Sequence, residues 1–278
     1  MLDCIMDGLV DTLKLLPYLF VTFIILEFLE HKLSKKNQKI LEKNKNLGPV
    51  FGGFLGALPQ CGFSSMAANL FSGKVITMGT VIAVFLSTSD EMLPIMLSSK
   101  VDILLILRII IFKIIMGIII GFIVDLIFRK TKKNSHIHEL CEEEHCSCEK
   151  HGIFVSSLIH TIHIGLFILI ANLAINLIIY YIGEEQLENL LKNKNIFTYF
   201  ISSLIGLIPN CASSVVITEL YLSELITPGV MLSGLLTGSG IGILLLFKTN
   251  KNLKENLTIL SIIYFVGVIA GIIVDFIV

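Results

Sequence analysis

Charge is scarce in this chain. Asp, Glu, Lys and Arg make up 15% of its 278 residues, against about a quarter in ordinary soluble domains. With 54% hydrophobic residues and a mean hydropathy of +0.86, that deficit excludes a water-soluble globule, because so much apolar surface needs lipid as its solvent. The formal net charge of −1 offers no electrostatic footing for nucleic acid. No G-x-x-x-x-G-K-S/T run is present, which argues against direct ATP hydrolysis. The opening Met1-Leu-Asp-Cys-Ile-Met-Asp7 lacks the basic start and cleavage site of a secretory leader, so the first apolar segment is expected to be kept as a span. The six cysteines do not follow the spacing of a secreted disulfide framework and read as free thiols or soft ligands.

What is abundant is apolar sequence in long stretches, among them 103–128, 153–182 and 259–278, each longer than the roughly 18 residues that mark a membrane span. The chain also repeats. Leu58-Pro59-Gln60-Cys61 matches Ile208-Pro209-Asn210-Cys211 at an offset of 211 − 61 = 150. The same offset pairs Ser64 with Ser214, Thr77 with Thr227, Gly79 with Gly229, Ser89 with Ser239, Gly121 with Gly271 and Asp125 with Asp275. Each unit reads as four apolar segments, about 9–29, 48–72, 75–98 and 102–128, then about 154–182, 196–222, 226–247 and 257–278. The units are a first transmembrane repeat (1–129), a linker (130–152) and a second repeat (153–278).

The second segment of each unit carries proline, glycine and a polar centre, so a broken helix or a re-entrant hairpin is expected there. The distribution of Lys and Arg favours re-entry. If all four segments crossed, the basic loops 31–45 and 129–133 would lie on opposite faces, against the positive-inside rule. With three crossings per unit, both loops and 248–254 face the cytoplasm, and the second unit is inverted relative to the first. The expected fold class is therefore an all-α polytopic membrane protein of two inverted repeats, each with three spans plus one broken or re-entrant helical hairpin. Such transporters bind cargo at the midplane, where interrupted helices meet.

The two Pro-amide-Cys tripeptides are the leading site candidates. Gln60, Cys61 and Ser64 in the first repeat, with Asn210, Cys211 and Ser214 in the second, offer thiols for soft ions and amide or hydroxyl oxygens for harder ones. The bland reading is that the cysteines are small fillers at a crowded turn. Asp90 and Glu91 follow Ser87-Thr-Ser89 between apolar runs, and the repeat keeps the hydroxyls but not the acids. Carboxylates there, and Glu219 within an apolar run, suit proton or cation coupling, because charge in lipid is costly unless it faces a pathway. Asp125 and Asp275 read as helix-end charges, and His163 as an interfacial histidine. The linker gathers His136, His138, Cys141, His145, Cys146, Cys148 and His151, a composition suited to loose binding of thiophilic ions. Its cytoplasmic placement leans toward export.

These residues also carry a family resemblance. Asp11-Thr-Leu-Lys-Leu-Leu-Pro17 with Glu27-Phe-Leu-Glu30, Gly56-Ala-Leu-Pro-Gln-Cys-Gly-Phe-Ser64, Ser87-Thr-Ser-Asp-Glu91 and Ile208-Pro-Asn-Cys-Ala-Ser-Ser214 resemble the ten-transmembrane heavy-metal exporters, also described as arsenic efflux proteins or manganese transporters. The resemblance covers nearly the whole chain outside the linker and implies a metal or metalloid cargo, not an enzymatic reaction. Its ten spans would follow from eight segments if each broken one were scored twice. Arsenite would ask for about three sulfur ligands, whereas Asp90 or Glu91 with the oxygens of Gln60, Asn210, Ser64 and Ser214 suits a divalent cation such as manganese. The expected partners are that ion and the bilayer of the inner membrane, with no cofactor and no nucleic acid; a homo-oligomer stays open. A permease for a small organic solute is the alternative, and a thiol redox protein using Cys61 and Cys211 a more distant one.

Overall fold

The computed structural model describes residues 13, 16–17, 20–21, 24, 47–58, 61–89, 92–128, 153–182, 191 and 195–277. Among them the regular structure is entirely helical, in the order α1 (Gly48–Gly56), α2 (Cys61–Ser72), α3 (Met78–Ser87), α4 (Met92–Ser98), α5 (Ile103–Phe128), α6 (Ile153–Ile182), α7 (Phe197–Gly206), α8 (Cys211–Leu222), α9 (Pro228–Thr237), α10 (Gly242–Thr249) and α11 (Leu253–Ile277). Among the described residues four stretches are long and apolar enough to cross a bilayer, 78–98, 103–128, 228–249 and 253–277. The chain is a multi-pass membrane protein.

The starts of α2, α3, α4, α5, and of α8, α9, α10, α11, differ by the same 150 residues that relate the sequences. The structure adds an interruption that the segment count misses. Each third segment is broken as well, between α3 and α4 and between α9 and α10. At Thr88 the backbone leaves the helix with ψ 128°, and at Gly238 with ψ 88°. Pro94 gives a reason in the first repeat, since an unbroken helix would need its missing N–H to bond the Asp90 carbonyl. In the second repeat Gly240 takes a positive φ of 53°, a conformation that glycine reaches without steric cost. The hydroxyls of Ser87 and Thr88 at the first break satisfy themselves by donating back to carbonyls one turn earlier, so they leave no unpaired donor in an apolar medium. Ser87 donates to the Ala83 carbonyl at 2.8 Å and Thr88 to that of Val84 at 2.7 Å.

Within each repeat α1 runs parallel to α3. Gly48 lies against Thr80, and Gly56 against Ser87 and Val84. The second repeat does the same, with Ser202 Oγ donating to the Val230 carbonyl at 2.7 Å and Ser203 Oγ to that of Ser233 at 3.2 Å. α2 and α8 are followed by tight turns, Lys74 and Glu224 at positive φ, that lead into the N-caps Thr77 and Thr227 of α3 and α9. α5 runs antiparallel to α3, and α11 to α9, through stripes of small residues; a side chain on Gly79 would strike the Gly121 carbonyl, and one on Gly229 that of Gly271. Small residues let backbones approach where lipid supplies no hydrophobic drive for helices to associate.

The repeats are interlocked. α2 packs along α10, and α8 against α4. Ser72 Oγ and Thr249 Oγ1 lie 2.6 Å apart, and Lys74 forms an ion pair with Glu255 at 3.0 Å. The buried apolar clusters accordingly mix residues of both halves, Phe85 and Leu86 with Leu236 and Leu245 in one, and Met92 and Met96 with Ile217 and Met231 in the other.

Candidate functional site

The interruptions of the two repeats meet in a narrow pocket. Thr88, Ser89, Met92 and Lys113 line it from the first repeat, and Asn210, Ser213, Ser214, Leu235, Gly238 and Gly240 from the second. Asn210 is 5% exposed and Ser89 1%, so the polar atoms here face one another and not the lipid. Ser213 Oγ donates to the Asn210 carbonyl at 2.8 Å, which binds the first turn of α8 to the chain preceding it. In that position the Asn210 carboxamide and the Ser214 hydroxyl stand at the start of α8, beside the ends of α3 and α9.

Two of the residues expected from sequence, Asn210 and Ser214, line this pocket. Ser64, buried, sits on α2 against Gly242 of α10, the counterpart of the place where Ser214 stands. Cys61 and Cys211 begin α2 and α8, which puts both cysteines at interruptions; their side chains lie outside the described residues. So do Gln60, Asp90, Glu91 and the linker ligands His136, His138, Cys141, His145, Cys146, Cys148 and His151. Glu219 is exposed on α8 and does not line the pocket. Among the described residues no three His, Cys, Asp or Glu side chains converge as a metal site.

One pocket residue was not singled out from sequence. Lys113 lies inside the apolar helix α5 and is 1% exposed. Its ammonium donates to the carbonyl of Thr88, at the end of α3, and to that of Leu235, in the last turn of α9, at 2.7 Å. The signal was available, since a lysine midway along a 26-residue apolar helix is expensive unless it is paired or faces a cavity. Its repeat partner is Ile263, fully buried. A second polar feature at the breaks is Ser239, whose buried hydroxyl has no hydrogen-bond partner among the described residues. Leaving such a group unsatisfied costs about 1–3 kcal/mol, unless water or cargo meets it.

Asp125 and Asp275, read from sequence as helix-end charges, act outside the pocket. Each closes the last helix of its repeat onto the N-terminus of the third segment, through the amide of Gly79 at 2.8 Å and that of Gly229 at 2.7 Å. His163 is exposed on α6.

A family model described as "Putative, 10TM heavy-metal exporter" matches residues 2–181 and again 159–278, so that the two regions together run through almost the whole chain. No curated protein and no solved structure matches it.

Proposed function

We propose that this chain, which belongs to the ten-transmembrane heavy-metal exporter family, is a secondary transporter, not an enzyme, and that it moves a metal or metalloid ion outward across the inner membrane through the pocket between its repeats. The observation that carries this reading is the meeting of Asn210 and Ser214 from one repeat with Thr88 and Ser89 from the other at paired helix interruptions. Polar, irregular backbone at such depth is tolerated where it lines a cavity. A narrow pocket suits a small ion better than an organic solute.

The helix directions support an inverted pair of repeats. Because α1 runs parallel to α3 and α2 leads by a tight turn into the start of α3, α1 enters and α2 leaves on one face, as a re-entrant hairpin does. α3 with α4 then crosses, and α5 crosses back. One further crossing by α6 would start the second repeat from the opposite face. The cross-repeat contacts agree with this arrangement: Ser72 meets Thr249 and Lys74 meets Glu255 on one side, while α8 meets α4 on the other. The positive charge of segments 31–45, 129–133 and 248–254 supports a cytoplasmic assignment for the first side, with the His- and Cys-rich linker there as a collecting segment for cargo.

The oxygen donors of Asn210, Ser214 and Ser89 suit a divalent cation such as manganese, with Gln60 and Ser64 supplying the counterpart set. Cys61 and Cys211 at the helix starts offer the softer alternative for arsenite. Asp90 and Glu91, next in the chain after Ser89, are the proposed proton-coupling groups. Glu219, also put forward from sequence, stands away from the pocket.

Transport into proteoliposomes under an imposed pH gradient tests the proposal, with manganese, zinc, cadmium and arsenite as cargo. Asn210→Ala and the Cys61→Ser/Cys211→Ser pair should each slow one ion at least about tenfold, the loss of one good polar contact, while Glu219→Gln stays near wild type. Whichever of Asn210 and the cysteines matters more separates hard from soft cargo. No movement of any of the four ions would overturn the metal reading and favour the organic-solute permease.

A further inference from the structure

The pocket contains a cation of the protein's own. α3 ends at Ser87 and α9 at Thr237, and the terminal carbonyls of a helix both lack intrahelical partners and carry the negative end of its dipole. Two such ends are brought together here at membrane depth. Facing one another in a medium of low dielectric, they call for a positive charge between them, and interrupted helices in transporters commonly hold a coupling cation on such carbonyls. In this chain the Nζ of Lys113 stands at that point, donating to Thr88 at the end of α3 and to Leu235 near the end of α9.

We propose that Lys113 is a tethered cation occupying a main-chain oxygen site built jointly by the two repeats, a site that would otherwise take a free monovalent cation. It acts as a positioning residue. By holding the α3 end of one repeat to the α9 end of the other, it fixes the spacing of Ser89 and Asn210 across the pocket. The asymmetry of the repeats fits this role. One cation suffices for one meeting point, and the equivalent of Lys113 is the buried Ile263. Of the described helices, α3, α4, α7 and α9 contain no Asp, Glu, Lys or Arg; Arg108 on α5 and Glu219 on α8 are exposed, Asp125 on α5 is engaged by Thr77 and Gly79, and Asp90 and Glu91, which follow Ser89 in the chain, lie outside the described residues.

The inference deepens the transporter reading in what it says of the pocket, but its primary test needs no cargo. Thermal unfolding of purified wild type, Lys113→Ala and Lys113→Met would be compared in sodium, ammonium and choline chloride at equal ionic strength. The alanine variant leaves room for a free ion, so it should unfold at a lower temperature in choline and recover in sodium or ammonium. The methionine variant fills the space with an apolar stem and should not recover, and wild type should be indifferent to the salt. In proteoliposomes the alanine variant should be at least about tenfold slower in choline, with part of the rate restored by ammonium or sodium. An alanine variant equally unstable in all three salts, or as stable as wild type in choline, overturns the proposal. A wild-type protein that carries none of the tested ions defeats the functional reading instead, and leaves the unfolding comparison to decide on Lys113.

Discussion

Asp125 accepts a hydrogen bond from the Thr77 hydroxyl at 2.7 Å, and 150 residues later Asp275 accepts one from Thr227. In both places the threonine is the N-cap of the third segment and the aspartate lies near the end of the fourth. A carboxylate placed against a helix N-terminus is favoured by the free amides and by the helix dipole. Each aspartate therefore joins the end of one crossing to the start of another, and in the second repeat Tyr199 adds its hydroxyl at 2.7 Å. Asp125→Ala and Asp275→Ala are expected to lower stability by about 1.5–3 kcal/mol each, the range for hydrogen bonds to a charged group. Denaturation in detergent measures this. An alanine variant of either residue that unfolds with wild type would remove the lock from the account.

The glycine contacts make a sharper prediction. A Cβ on Gly79 would meet the Gly121 carbonyl and the Asp125 carboxyl group, and one on Gly229 would meet the Gly271 carbonyl and Asp275. The obstacle in each case includes backbone, which cannot swing aside as a long side chain can. Gly79→Val and Gly229→Val should each separate the third and fourth segments of their repeat and abolish a monodisperse peak in size-exclusion chromatography. Valine at Gly238, where the nearest atom to an added Cβ is at 3.5 Å, is the control and should leave the peak in place. Equal behaviour of all three variants would show that close packing is not what these glycines provide.

Much of this architecture can be read from the chain because the repeat is written in residues whose chemistry is local. Pro59 and Pro209 announce the break of the second segment, and the 150-residue register aligns the helices that follow. The break of the third segment was harder to see. Pro94 lies past the interruption, inside α4, and Ser87 and Thr88, whose hydroxyls bond back to the preceding turn, look like ordinary small residues in an apolar run. Lys113 escaped for a related reason. Its apolar neighbours make α5 read as one span, and only the approach of Thr88 from one repeat and Leu235 from the other gives the ammonium its acceptors. Such a contact, across 122 residues of sequence in the case of Leu235, leaves no periodic trace. Asn210 and Ser214 were legible because both copies of the motif keep an amide and a hydroxyl beside the cysteine.

The inverted arrangement can be tested without any cargo. The turn after α2 and the start of α11 lie together through Lys74 and Glu255, whereas Lys100 follows α4 and Glu224 follows α8, the two helices that pack at the other end of the repeats. Single cysteines at Lys74, Asn252, Lys100 and Glu224, in a protein whose own cysteines are replaced by serine, would be labelled with a membrane-impermeant maleimide in right-side-out and inverted vesicles. Lys74→Cys and Asn252→Cys should react from the cytoplasmic face, and Lys100→Cys and Glu224→Cys from the opposite one. The pairing is what discriminates, because two repeats in the same orientation would carry residues 74 and 224, which differ by the repeat offset, to the same face. Labelling of both from one side would therefore remove the proposed inversion of the second repeat relative to the first.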